Sequence, residues 1–577
     1  MRQQLIDLRA RMKEAGVSAY IIPTTDFHGS EYVNDYFKCR KFVSGFTGSA
    51  GTLAVTEQEA FLWTDGRYFL QAANQLDSSG IGLMKSGQPG VPSITEYLAD
   101  RLTPSDVIGF DGRVVGYAFG RELEKTAKVN FELDLVCDIW KDRPALSPSR
   151  IYSLPESVTG ESAESKLERV RSSMRQQGAD YHLITSLEDI AWLLNLRGRD
   201  VENTPVFFSF ALINADCARL YVMDKSFEGA DDWEVLPYFQ IFKDIKKLPA
   251  GSILLDEGIV SYALIKSLPE DVKIINSSNP AELMKSLKND TELAATENAH
   301  LKDGAAMVNF IRWLKQNIER ETITEISAAD RLEKFRMEQE GCYDLSFSTI
   351  AGYMENGAVI HYSATEETNK TLKPEGFLLV DSGGQYEDGT TDITRTISLG
   401  SLTEEMKQHY TAVLRSHIKL AMAAFPPGTT GGQLDELARR SLTDLGLDYN
   451  HGTGHGVGHL LSVHEGPHSI SKKSGSHLPI YPGSITSDEP GVYLEGKYGI
   501  RLENEIQCVE LPQGSFGFIP ITYCPFEKEA ILPELLKPME LSWLNEYHRD
   551  VYAKIAPRVS AETAEWLKEA TAPITVK

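Results

Sequence analysis

The feature that most limits how this chain can fold is an internal repeat. LRARMKEAGVSAYII (residues 8–22) returns as VRSSMRQQGADYHLI (170–184) at one constant offset, with Met12 over Met174 and Gly16 over Gly178. Each copy reads as an amphipathic helix, a glycine stop able to take positive φ, and a strand. A second pair follows in the same order: TLAVTEQEAFLWTD (52–65) and FALINADCARLYVMD (210–224) each read as two strands around a polar turn. One echo is within reach of chance, whereas two in the same order imply a duplication. Two similar α/β domains in tandem are therefore expected.

At 577 residues the chain has room for a third domain, since domains run to about 100 to 200 residues. The proline-containing stretches 141–157 and 276–290 read as linkers, which sets the expected domains at 1–150, 151–288 and 289–577. The third opens with Asn289 and Glu292 as a capping box, followed by an apolar helix face of Met307, Phe310, Ile311 and Leu314. A second helix is expected from Thr322 with Glu325 closing its box, and then short strands and glycine turns. The closing stripes, Leu541, Leu544, His548, Val551 and Ile555 and then Trp566 and Leu567, read as packing helices.

Charge narrows the partners. With 58 basic against 82 acidic residues, a net charge of −24, the chain is poorly suited to nucleic acid or an anionic membrane surface, both of which reward basic patches. The N-terminal pattern of Leu5, Leu8 and Met12 is amphipathic and lacks a signal peptide's continuous apolar segment, and no run approaches the roughly 18 apolar residues of a membrane span. Six scattered cysteines without a CxxC pair indicate neither a zinc knuckle nor a disulfide framework. The expectation is a cytoplasmic protein with no nucleic-acid or membrane partner.

The chemistry concentrates in HGTGHGVGHLLSVHEGP (451–467), which packs four histidines and five glycines into a segment with little apolar periodicity. Glycines admit close backbone approach, and neutral imidazole is a common ligand for borderline metals. A single histidine here would read as a solvated loop residue. Four, with Glu465 and His468 adjoining, point to a site.

Upstream, GAVIHYSA (357–364) alternates as a strand with Val359, His361 and Ser363 on one face, where His361 is also compatible with a satisfied strand histidine. In GFLLVDSGGQYEDGTTDITRTISLG (376–400) one strand ends at Asp381 and the next carries Asp392, Thr394 and Thr396 on one face. Two aspartates at neighbouring strand positions repel unless a cation sits between them. Downstream, residues 485–510 add Glu489, then Arg501, Glu503 and Glu505 at period two. Together Asp381, Asp392, His455, Glu489 and Glu503 make a hard, oxygen-rich donor set. Two divalent ions about 3.5 to 4 Å apart, sharing bridging carboxylates, would balance it. Such ligands favour Mn²⁺, with Co²⁺, Zn²⁺ and Fe²⁺ also compatible.

At these residues the sequence resembles the pita-bread metallopeptidases, and among them the three-domain Xaa-Pro aminopeptidases. The resemblance rests on NGAVIHY, VDSGGQYEDGTTDITRT, HGTGHGVGHLLSVHEGP, SDEPGVY and GIRLEN, and in the first domain on FVSGFTGSAG and WTDGRYFLQAA. It implies an α+β fold: a C-terminal pita-bread catalytic domain, a curved antiparallel sheet with helices outside it, preceded by two tandem creatinase-N-terminal-like α/β domains. The activity implied is release of the first residue from peptides with proline second, through a metal-bridging hydroxide, by a homodimer. The five donors above match the family's dimetal ligands. His464, Glu489 and His361 match catalytic positions. Arg67, His361, His451, His455, His464, Tyr493 and Arg501 match positions around the substrate.

The implied chemistry suits the substrate, because proline nitrogen carries no hydrogen for an ordinary peptidase to grip. Two rival readings exist. A prolidase shares these ligands but cleaves dipeptides, and the tandem N-terminal domains favour the aminopeptidase. A catalytically inactive peptide binder should have lost ligands, whereas all five positions are filled. Glu505 stands where some relatives place an apolar residue, which adds negative charge beside the site.

Overall fold

The sequence repeat is a repeat of sheets. In the computed structural model, which describes residues 1–224, 226–227, 233–472 and 477–576, the first sheet runs from edge to edge Gly82–Lys85, Ala60–Thr64, Thr52–Thr56, Ala19–Pro23, Val107–Gly109, Lys128–Asn130. The second runs Trp233–Pro237, Ala218–Val222, Ser209–Asn214, Tyr181–Ile184, Gly251–Leu255, Val272–Asn276. Strand senses agree at every step: parallel, antiparallel, antiparallel, parallel, parallel in each. The duplicated helices Gln3–Ala15 and Ala163–Gln177 bury Leu5, Leu8 and Met12 in one copy and Leu167, Val170 and Met174 in the other. Both end on a left-handed glycine, Gly16 at φ 66° and Gly178 at φ 70°.

By contacts the chain divides into two units, residues 1–156 with 161–282 and residues 157–160 with 283–577. Both sheets lie in the first unit. They are joined there by buried His28, whose Nδ1 meets the Thr185 carbonyl at 3.0 Å and whose Nε2 meets the Tyr238 hydroxyl at 2.6 Å. The segment 276–290, read from sequence as a linker, contains a helix, Pro280–Ser286. Residues 157–160 join the second unit because the Thr159 carbonyl accepts from Asn289 Nδ2 at 2.9 Å and the Val158 carbonyl meets His459 Nε2 at 3.2 Å.

The second unit opens as its sequence indicates. Asn289 and Glu292 form the reciprocal capping box of the helix Asp290–Asn317, which buries Met307, Phe310, Ile311 and Leu314. The next helix corrects the sequence reading. It spans Glu325–Met337, its N-cap is Thr324, and Ser327 closes the box. Glu325 is engaged elsewhere. Fully buried, it accepts hydrogen bonds from the backbone N–H of Tyr353 and Lys370, from Asn356 Nδ2 and from the Tyr362 hydroxyl.

These bonds also explain why residues 357–364 are not the expected strand. They close a 3₁₀ turn, Met354–Ala358, and a following turn that carries His361. Beyond them two antiparallel sheets carry the chemistry. One has Phe377–Ser382 between Ile350–Tyr353 and Ile393–Ser398. The other runs Ala424–Phe425, Phe516–Pro520, Asn504–Glu510, Ile485–Asp488, Gly454–Gly456, Glu465–Ile470. The helix Glu404–Ala421 packs Tyr410, Val413, Leu414 and Ile418 into one core with Ile500, Leu502, Phe526 and Leu544.

Candidate metal centre

Five chain segments meet at one point because of how their strands pair. Asp381 lies opposite Thr394 in the pairing of Phe377–Ser382 with Ile393–Ser398, which brings Asp392, just before the second strand, close to Asp381. The turn after Asp381 needs glycine at 383, where any Cβ would collide with the Thr391 carbonyl. Asp488 lies opposite Asn504, so Glu489 and Glu503 emerge at the same end of that strand pair. His455 sits on Gly454–Gly456, beside Ile485–Asp488. Gly454 has to be glycine there, since a Cβ would strike the Ser487 carbonyl.

One donor atom each of Asp392, His455 and Glu503 lie within 4.8 Å of one another. His455 Nε2 is 3.5 Å from Asp392 Oδ2 and 3.6 Å from Glu489 Oε1. Asp381 Oδ2 accepts from Arg501 Nη2 at 2.5 Å, and Glu503 Oε2 accepts from the Thr394 hydroxyl at 2.6 Å. Burial, and then repulsion from their neighbours, holds Glu503 well above the usual carboxylate range, raises Asp392, and pushes Glu489 up to about 7. Burial opposes a charged His455, yet Asp392 and Glu489 push it up to about 9.

Asp381 Oδ1 and Asp392 Oδ1 are buried without a hydrogen-bond partner among the described residues. Buried carboxylates of this number, facing one imidazole and one guanidinium, lack compensating positive charge. Divalent cations would supply it, and hard oxygen donors suit them. The donor set therefore fits such ions.

Around this group the structure gathers most of the other expected residues. Arg501 Nη1 donates to the Tyr493 hydroxyl at 2.7 Å, and that hydroxyl also meets His451 Nε2 at 2.8 Å. Burial, and then the Arg501 charge, holds the His451 imidazole well below its ordinary value, so it is neutral. The His464 ring stands edge-on to His455 with centroids 4.4 Å apart. His361, on its turn, follows Ile360, whose carbonyl accepts from Arg501 Nη2 at 3.4 Å. Arg67 lies in the first unit, paired through two nitrogens with Asp65 at 2.9 and 2.8 Å.

Two details depart from the sequence pattern. The period-two run of Arg501, Glu503 and Glu505 does not lie on one strand: Arg501 ends Tyr498–Arg501 and Glu505 belongs to Asn504–Glu510. Glu505 accepts from the Asp392 backbone N–H at 2.7 Å and pairs with His300 at 3.1 Å, so its added charge is held behind the aspartate. His459 does not join the site, since its ring nitrogens are used by Thr296 and Val158.

Sequence reasoning missed the side chains behind the centre. Lys285 at 3.0 Å and Lys288 both pair with buried Glu465, the residue after His464. Arg395, His417 and Asn504 form a fully buried network behind Glu503 and Glu489. One signal was present: His417 falls at helical spacing among Tyr410, Val413 and Leu414, a polar ring on a face that is otherwise apolar.

A crowded buried carboxylate group with one imidazole places the chain among metalloproteins. The comparisons with known proteins narrow this. Residues 294–510 match the model of metallopeptidase family M24 and 514–574 its C-terminal region, while 5–134 and 142–292 each match a creatinase/prolidase N-terminal domain. Aminopeptidase P2 of Arabidopsis thaliana is 39% identical, with 99% of this chain and 88% of the relative covered. The crystal structure of an X-prolyl aminopeptidase from Caenorhabditis elegans, a cytosolic enzyme with a di-nuclear active site, superposes with a TM-score of 0.94 at 34% identity over 99% of both chains. An Xaa-Pro dipeptidase from Bacillus anthracis superposes at 0.53 and 26% identity, covering 63% of this chain and 99% of its own. The chain belongs to metallopeptidase family M24, in its aminopeptidase P branch, with two creatinase-type α/β domains ahead of a pita-bread domain.

Proposed function

We propose that this chain is a dinuclear Xaa-Pro aminopeptidase that removes the first residue from peptides with proline in second position. The observation that carries the reading is the group of buried carboxylates facing His455. Family relatives that are aminopeptidases match over the whole chain, whereas the Xaa-Pro dipeptidase covers 63% of it. In this reading Asp381, Asp392, His455, Glu489 and Glu503 hold two divalent ions, Mn²⁺ in first place because no thiolate is offered. The three functional parts are residues 1–150, 151–288 and 289–577. The protein works in the cytoplasm as a homodimer: the relative from C. elegans is cytosolic, and the dimer follows the family expectation.

Bound there, the ions would polarise the scissile carbonyl and lower the pKa of an attacking water. The chain's own groups do the rest. Glu489 Oε1, 3.6 Å from His455 Nε2, takes the proton of the attacking water and passes it to the proline nitrogen as the bond breaks. His464, edge-on to His455, donates a ring N–H to the carbonyl oxygen as it gains negative charge. Neutral His451, Tyr493 and Arg501 form one hydrogen-bonded wall against the proline side, with His361 beside it. For Arg67, whose guanidinium is held by Asp65, the substrate role rests on the motif resemblance alone.

The test is to strip the protein, reload it with Mn²⁺, Co²⁺, Zn²⁺ or Fe²⁺, and assay Xaa-Pro dipeptides, longer Xaa-Pro peptides and matched peptides with alanine second. Cleavage of long Xaa-Pro peptides, fastest with Mn²⁺, is expected. Cleavage of dipeptides alone would make the chain a prolidase, and equal cleavage of the alanine peptides would remove the proline specificity.

A further inference from the structure

The geometry points to His417 as a positioning residue that ties the segments bearing Glu489 and Glu503 to one another; the inference rests on the reading that those glutamates hold metal. Arg395 sets the first orientation, because its guanidinium only donates. Its Nη1 serves the carbonyls of Thr394 at 2.9 Å and Glu503 at 2.6 Å, and its Nη2 serves the Cys524 carbonyl at 2.7 Å and Asn504 Oδ1 at 2.8 Å. Asn504 must therefore present its oxygen to Arg395, which fixes the orientation of the amide.

Its NH₂ then faces His417 Nε2 at 3.3 Å, so that ring nitrogen accepts. The His417 proton is thereby assigned to Nδ1, which lies 3.0 Å from the Asp488 carbonyl oxygen and 3.1 Å from Asp488 Oδ2. One relay, Arg395 to Asn504 to His417 to Asp488, thus determines both the amide orientation and the tautomer.

A buried histidine with two satisfied nitrogens is ordinarily part of a core. What separates His417 is the identity of its partners. Asp488 and Asn504 are a cross-strand pair, and the residues next to them, Glu489 and Glu503, leave the strands at the site. The ring comes from the helix Glu404–Ala421, is wholly buried, and is packed edge-on by Phe526 and Trp543 with centroids 5.3 and 6.0 Å away. Among the described residues the fully buried Asp488 carboxylate has no hydrogen bond, and the approach of His417 Nδ1 to Oδ2 at 3.1 Å is its one charged contact. The ring is therefore the brace that sets the spacing of the two glutamates. Two ions sharing carboxylates about 3.5 to 4 Å apart tolerate little drift in that spacing.

The test is a titration of stripped, full-length protein with Mn²⁺, read by competition with a fluorescent chelator, beside the thermal midpoint of the stripped protein. His417→Ala is expected to lose about 10 to 100-fold in Mn²⁺ affinity, the usual cost of removing a group that orients a ligand. His417→Asn, whose side-chain NH₂ reaches the place of Nδ1 and can donate to Asp488, is expected to recover most of it. A His417→Ala protein that melts earlier but binds Mn²⁺ like the parent would reduce the ring to packing and overturn the proposal.

Should His417→Ala not fold, Asn is compared with Gln. Glutamine carries its amide one methylene further out, near the place of Nε2, where its oxygen can accept from Asn504 but its NH₂ is not at the place of Nδ1, so weaker binding by Gln supports the brace and equal binding rejects it. Glu503→Ala is titrated alongside. Undiminished affinity there would sink the metal reading itself, whereas loss in Glu503→Ala with none in His417→Ala would sink only the brace.

Discussion

The N-terminal unit and the metal centre both bury charge, and they treat it in opposite ways. In the N-terminal unit Arg40 and Asp200 are met by neutral partners, and Lys166 and Arg197 have neutral acceptors among theirs. Lys166 Nζ donates to the Trp192 carbonyl at 3.0 Å and Asn195 Oδ1 at 2.7 Å. Arg40 serves the carbonyls of Phe46 and Gly48, and Arg197 those of Ala191 and Leu196. Asp200 accepts from the backbone N–H groups of Phe208 and Ser149. At the metal centre Asp381, Asp392, Glu489 and Glu503 crowd together, two carboxylate oxygens have no partner among the described residues, and burial, with repulsion added to it, raises the pKa of Asp392, Glu489 and Glu503. The difference teaches that burial of a charge is no signature of a site. Crowding of like charges with too few counterions is.

The strongest way to break that comparison is to remove one of the crowded carboxylates. Glu503→Ala should leave a folded protein that no longer holds its metal, with Xaa-Pro hydrolysis at background, as elemental analysis and peptide assay would register. A variant that kept two ions and turned over would make the crowding incidental.

The next largest effect sharpens the comparison inside the second unit itself. Asp303 and Arg336 are as buried as the centre but paired charge to charge: Arg336 Nε donates to Asp303 Oδ1 at 2.7 Å, Nη2 to Oδ2 at 3.2 Å, and the Tyr386 hydroxyl donates to Oδ1 at 2.8 Å, while Arg336 Nη1 alone of this group has no partner among the described residues. Asp303→Asn strands the guanidinium and should cost about 3 to 5 kcal/mol of stability in denaturant unfolding while leaving metal content at the parent level. Burial alone would raise the Asp303 carboxyl, but Arg336 and then Tyr386 hold it below the usual range. A depressed folded value contributes stability that is complete above the unfolded carboxyl value, about 3.9, and is lost as pH falls through the folded one. The gap between parent and Asp303→Asn should therefore be full at neutral pH and narrow at strongly acid pH. A gap that widened on acidification would reverse the sign and refute the assignment.

A somewhat smaller effect is expected at the edge of the centre. His464→Ala should keep both ions and lose roughly 10² to 10³ in kcat, about 2.7 to 4 kcal/mol, with less change in KM. Metal depletion in that variant would make His464 a ligand, and unchanged kcat would return it to an ordinary loop histidine.

How much of this is legible in the chain follows from the range of the interactions. The duplicated sheets are readable because helix, glycine stop and strand are local patterns, so Gly16 and Gly178 announce the same event twice. The five candidate ligands are readable because histidines and carboxylates in glycine-rich turns are rare in cores and because their motifs resemble a known family. Glu325 reads wrongly as half of a capping box, since nothing local reveals that its carboxylate is needed by Tyr353, Asn356, Tyr362 and Lys370. For the same reason the turn at His361 reads as a strand. Arg395 and Asn504 are out of reach, each ordinary in its own segment, and the polar ring of His417 on its apolar helix face is a signal without a direction, because the meaning of all three lies in partners brought together from distant stretches of sequence.

The smallest expected effect is the control on which the comparison depends. Lys166 is buried, its ammonium stands 4.3 Å from the centre of the Trp192 ring, and the Trp192 carbonyl and Asn195 Oδ1, both neutral, are among its acceptors. Methionine preserves the length and apolar stem but carries no charge and no donor, so Lys166→Met leaves both acceptors one bond short. Unmet buried acceptors cost about 1 to 3 kcal/mol, and part of that is offset because no charge has to be desolvated. The expected result is a modest fall in the denaturant midpoint with two ions still bound and kcat on a small Xaa-Pro peptide unchanged. If metal affinity or kcat fell together with the midpoint, the buried charges of the N-terminal unit would belong to the working site after all. The line drawn between complete and crowded charge would then no longer divide fold from function.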